Sequence, residues 1–164
     1  MTENVKRKRH SGQLTGVAGV HYVASYLNYL GFHAVPTTRN VPGPDLLVSN
    51  LSGSRGVSLQ VKTTMWAMRT RGRKDKKKAH HHEWDIGWSS AALNHPQLFF
   101  ALVDLKEFDA LPDVFIVPSK VIFKYFKGGD PKTWRRARYH PLIEDVEQYK
   151  NQWDVLKKAL QMKR

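Results

Sequence analysis

The sequence predicts an α/β (α+β) fold in which a mixed β-sheet is flanked by helices. Three features carry that expectation. One helical segment precedes three short strand-like segments; two apolar runs follow in the middle of the chain; helical segments close it. With 164 residues, 41% hydrophobic, and five tryptophans, the chain has enough apolar material for a core. Residues 13–164 are expected to form one domain behind a basic arm at 1–12, MTENVKRKRHSG.

The elements follow in order. From Leu14 to Leu30, the residues Val17, Val20, Val23, Leu27 and Leu30 recur at helical spacing, and Gly31 supplies a stop. Phe32–Pro36 reads as a first strand. Pro44 disfavours helix at Gly43, so the chain enters Asp45 extended. Gly43–Thr64, GPDLLVSNLSGSRGVSLQVKTT, reads as two strands joined by the Gly/Ser-rich turn 50–56. Residues 65–88 are expected to form a long exposed basic loop. The runs 98–105 (LFFALVDL) and 114–117 (VFIV) are buried strands. Ser119 reads as the N-cap of a short helix 120–125, and Asp130-Pro131 as the start of a basic helix. Residues 142–162 read as one terminal amphipathic helix carrying Val146, Tyr149, Trp153, Leu156 and Leu160.

Charge narrows the function. Twenty-seven Lys and Arg against fourteen Asp and Glu give a formal net charge of +13, which concentrates polyanions, nucleic acid foremost. No stretch approaches the ~20 apolar residues of a membrane span. The Lys6–Arg9 run lacks a clean apolar segment after it, so a secretory signal is not expected. The absence of cysteine excludes disulfides and thiolate metal sites and fits a cytoplasmic protein.

The hairpin carries the chemistry. Gln60 and Lys62, two apart on a strand, share a face about 6.6 Å from each other along the chain. Asp45 opens the facing strand, so the three can surround one point. Asp45 offers Mg²⁺ (or Mn²⁺) a hard oxygen, Gln60 a neutral ligand or a means of orienting water, and Lys62 support for the attacking water.

Helix, strand, Pro44-Asp45, then Gln60-x-Lys62 resembles the core of the PD-(D/E)xK nuclease superfamily, which includes restriction endonucleases and Holliday junction resolvases. The similarity is to small proteins patterned GExxVAxxLxxxGF…RNxPGxDLLV…QVKT. Here the matching residues are Gly19 to Ala24, Leu27, Gly31-Phe32, Arg39 to Val48 and Leu59 to Thr63. The resemblance implies a restriction-endonuclease-like sheet and metal-dependent hydrolysis of DNA by Asp45, Gln60 and Lys62. That pattern has a glutamate eleven positions before its Gly-Phe pair, where this chain has Val20, and Gln60 stands where an acid is common. The resemblance therefore implies a weaker metal site than three acids would make.

Arg39, Arg69, Arg71, Arg73, Lys74, Lys76, Lys77, Lys78, Arg135 and Arg136, with Arg138 nearby, are candidate phosphate contacts. Adjacent His80, His81 and His82 are not spaced as zinc ligands and read as a polar or pH-sensitive part of the basic loop. Glu83 and Asp85 are candidates for a missing carboxylate. Two other readings stay open: a nuclease-fold protein that binds nucleic acid without cutting it, and an RNA-binding, ribosome-associated structural protein. A homodimer is possible in any of these.

Overall fold

The computed structural model describes residues 11–38, 43–70, 79–106 and 110–161. The fold class is as expected: a five-stranded mixed sheet with helices packed on it. Helix α1 (Gly12–Tyr29) starts ahead of Leu14 because the Ser11 hydroxyl accepts the Leu14 N–H. It ends where Gly31 turns to φ 86°, the Gly31 N–H bonding Asn28 O and the Phe32 N–H bonding Leu27 O. Asn28 then ties the helix end to β1 (His33–Pro36) through both backbone groups of Ala34.

Strands β2 (Leu46–Ser49) and β3 (Gly56–Thr64) form the expected hairpin, its turn closed by Asn50 against Arg55 with Gly53 at φ 68°. Strand β7 (Leu98–Asp104) lies parallel to β3, and β8 (Asp113–Pro118) antiparallel to β7, giving the order β1-β2-β3-β7-β8. All seven residues of β7 are buried, as a strand covered on both faces must be. On one face, Leu59, Val61, Ala101 and Val103 pack under Val23 and Leu27 of α1 and Leu156 and Leu160 near the C-terminus. On the other, Phe100, Leu102, Phe115 and Val117 pack under Trp84, Ile86, Ile122 and Phe126.

The expected exposed loop 65–88 is corrected by that second core. Short strands β4 (Met68–Arg69) and β5 (His81–His82) pair with each other, and β6 (Trp84–Asp85) pairs with β9 (Arg138–Tyr139). His82, Trp84 and Ile86 alternate inward, and with Ala67 they are buried. That alternation was legible as a strand, but seven nearby cations masked it. Residues 71–78, with Arg71, Arg73, Lys74, Lys76, Lys77 and Lys78, lie outside the described residues, as do Arg39 and the arm 1–10.

Three helix expectations also fail. After α2 (Trp88–Ala91), helix α3 (Ser119–Phe126) forms without a Ser119 cap; that hydroxyl bonds both backbone groups of His95. Asp130 does cap a turn, accepting the Lys132, Thr133 and Trp134 N–H groups, but the turn does not propagate. The Trp134 carbonyl instead accepts from the Trp88 indole, and the chain extends into β9. The terminal segment is two helices, α4 (Ile143–Glu147) and α5 (Asp154–Ala159). Between them Asn151 takes φ 52° and donates its N–H to Val114 O at 2.7 Å. Bonding the edge of β8 outweighs continuing the helix.

Candidate active site

Alternation along β3 sorts the site. Val57, Leu59 and Val61 join the core under α1, so Ser58, Gln60 and Lys62 face the opposite side. Leu46 is the register partner of Leu59, which sets Asp45 level with Gln60. The Gln60 side-chain amide donates to Asp45 Oδ2, and the same oxygen accepts the Val61 N–H at 2.7 Å. Gln60 is 8% exposed. Its amide nitrogen is committed to Asp45, so its carbonyl oxygen turns away from that carboxylate.

Lys62 completes the group. Burial lowers its pKa, opposed by the attraction of two carboxylates, Asp45 and then Asp85. An amine in this setting gives up its proton more readily than a surface lysine. Asp45 and Gln60 are therefore in contact, and Lys62 shares the Gln60 face of β3, close enough for its charge to be felt by Asp45.

Helix α1 reaches the same strand closely. At Gly19 a Cβ would overlap the Thr63 side chain, so only glycine lets the helix lie this near β3. The next residue, Val20, is half-buried against the core under α1 and offers no oxygen donor. Among the described residues, no group of three or more His, Asp or Glu side chains is placed to hold a metal. What the site does offer is a hard carboxylate and an amide, which suits a Mg²⁺ ion that keeps waters and takes substrate oxygens for its remaining positions.

The other candidates divide. Arg69 folds back, its guanidinium donating to the Trp66 and Met68 carbonyls and pairing with Glu83 at 3.7 Å. Glu83 also pairs with Arg138 at 3.5 Å and His140 at 3.2 Å, a cluster no sequence spacing announces. Arg135, Arg136 and Arg138 line an open cleft of about 440 Å³, and Arg136 pairs with Asp85 at 3.5 Å.

The polar-loop expectation for the histidines is corrected at His82. This ring is 3% exposed and stacks on Trp84 at 5.3 Å, and burial lowers its pKa. His80, His81 and His140 line a separate cavity of about 210 Å³ with Tyr125 and Leu142.

No protein-family model and no curated protein matches the chain. Among solved structures it is similar to a bacterial homing endonuclease, I-Ssp6803I, at 14% identity and a TM-score of 0.58. The superposition covers 93% of this chain and 94% of that one. At that identity the two share a fold, strand and helix alike, over nearly their whole lengths. Among the described residues, no helix is long and apolar enough to cross a membrane.

Proposed function

We propose that this protein is a DNA endonuclease of the PD-(D/E)xK type, hydrolysing phosphodiester bonds with a divalent metal. The observation that carries the reading is the contact of Gln60 with Asp45 beside the half-buried Lys62. The fold shared with an endonuclease supports it, as does the formal charge of +13. Asp45 would hold Mg²⁺ or Mn²⁺ with help from Gln60; when bound, such an ion polarises the phosphate and neutralises its charge. Gln60 keeps the Asp45 carboxylate oriented. Lys62 positions the attacking water and steadies charge on the phosphate oxygens. Arg135 and Arg136 grip the backbone of the nucleic acid beside the site.

Incubation of plasmid, linear, single-stranded and branched DNA with Mg²⁺ or Mn²⁺ tests this. Metal-dependent cleavage should vanish in Asp45→Asn and Lys62→Met; cleavage that persists in both sinks the assignment. Val20 favours a second reading, because α1 delivers an alkyl group where this nuclease pattern has an acid. In that reading the protein binds nucleic acid without cutting it. Calorimetry separates the two, since a binding module takes up no metal with or without DNA.

A further inference from the structure

We infer that Trp134 and the apolar groove beside it form a platform for an unpaired DNA base, while Arg135 and Arg136 hold phosphates of the same strand. The inference rests on the nucleic-acid-binding part of the proposed function and adds single-stranded DNA to what the protein binds.

Trp134 is exposed and yet held in place. Its carbonyl accepts the Trp88 indole N–H at 3.1 Å, which fixes the backbone beneath the ring. The ring lies 6.2 Å from that of Trp88 and meets Phe126 edge-on at 6.4 Å. A Cβ at Gly129 would sit 3.3 Å from the Trp134 ring and 3.0 Å from the Trp88 ring, so both indoles rest against bare main chain. Trp134 is 46% exposed all the same. An indole so restrained has little rotamer freedom left to lose when a flat partner stacks on it.

The groove shares Trp88, Phe126 and Gly129 with this cluster and continues along Phe123 and Pro131. At about 370 Å³ it lies within the range of small-ligand clefts, roughly 300–1,000 Å³. Many planar molecules would suit such a slot, and charge selects among them. Residues 119–138 carry four Lys and three Arg against one acid, Asp130, whose carboxylate accepts the Lys132 N–H. Arg135 and Arg136 follow Trp134 directly and, with Arg138, line the open arginine cleft. Aromatic faces for bases beside cations for the backbone are what a single strand requires. A duplex keeps its base faces stacked inside, so only an unpaired strand satisfies the ring and the arginines together.

Fluorescence anisotropy with Mg²⁺ and Mn²⁺ withheld tests this apart from cleavage. The probes are labelled oligothymidylate, an abasic sugar-phosphate strand of equal length, and a blunt duplex. Wild-type protein should bind oligothymidylate about tenfold more tightly than the abasic strand, which has the same charge and no bases. Trp134→Ala should erase that preference and lower the ratio of thymidylate to duplex affinity about tenfold; Trp134→Phe should restore most of both. Thymidylate should also quench the wild-type tryptophan fluorescence, a quench that Trp134→Phe lacks. Equal wild-type affinity for the thymidylate and abasic strands overturns the platform and leaves the nuclease reading to the cleavage assay. So does a wild-type preference in a Trp134→Ala protein whose circular dichroism is native. If the protein binds none of the three probes, with or without Ca²⁺, the nucleic-acid reading falls with the platform.

Discussion

The Asp45 carboxylate accepts the backbone N–H of Val61 at 2.7 Å, one residue before β2 begins at Leu46 and beyond the last β2–β3 register pair, Leu46 with Leu59. A side chain thus continues the sheet beyond its last backbone pair. The same oxygen receives the Gln60 amide. One group serves the architecture and, in the proposed reading, the chemistry, so the two roles need separate tests.

Asp45→Ala leaves the Val61 N–H unpaired at a buried position and should cost about 1–3 kcal/mol of stability. Asp45→Asn keeps an acceptor for that N–H, and the Gln60 amide can turn to match it. Urea unfolding should therefore show the Asn variant near wild type and the Ala variant well below. Both should lack metal-dependent cleavage. Equal stability of the two variants would show that the Val61 bond contributes nothing.

Lys62 gives a pH signature. Burial holds its folded pKa below the ordinary 10.5, so between the two values the unfolded chain binds more protons than the folded one. Stability from this group therefore rises with pH across that window; below it, the cost of burying the charge is present in full. Lys62→Met should unfold at a higher urea concentration at neutral pH and lose this alkaline rise, while cleavage is abolished. A Met variant whose pH profile parallels wild type would remove Lys62 as the cause.

Gly19→Ala forces a methyl group into Thr63 and should cost about 1–3 kcal/mol, as overpacking typically does. Thr63→Ala in the same chain should recover much of that loss. Urea midpoints of the two single variants and the double variant give the coupling directly. Additive effects would mean that α1 shifts away instead of meeting Thr63.

Arg135→Ala should weaken binding to all duplex sequences alike and lower the slope of log affinity against log salt by about 1. Fluorescence anisotropy over a salt series measures both. A loss confined to one sequence would make Arg135 a reader of bases.

Much of this was legible in the sequence where the signal is local. The apolar spacing of α1, the glycine that stops it and the turn between β2 and β3 each lie within a few residues of their cause. The meeting of Asp45 and Gln60 followed from the same hairpin, because its register sets them level. What failed was decided at a distance. Asn151 breaks the terminal helix because the edge of β8 needs partners, and Trp134 leaves its turn to dock on Trp88. The bond from Val61 to Asp45 depends on where β2 starts, which no pattern in 43–64 states. The placement of Asp85 depends on β6 finding β9, more than fifty residues later.

The pairing of β4 with β5 has a consequence for how the protein can be altered. Arg69 lies opposite His81, and the His80 N–H bonds the Arg69 carbonyl, so residues 70–79 leave and re-enter at a single gate. Trp84 anchors the returning chain to β7 just beyond it. With both ends fixed by that pairing, doubling the length of chain between them adds only about 0.6 kcal/mol of closure entropy. A fluorophore, a tag or a whole binding domain can therefore be spliced between Arg69 and His80 at little entropic cost to the β4–β5 pairing.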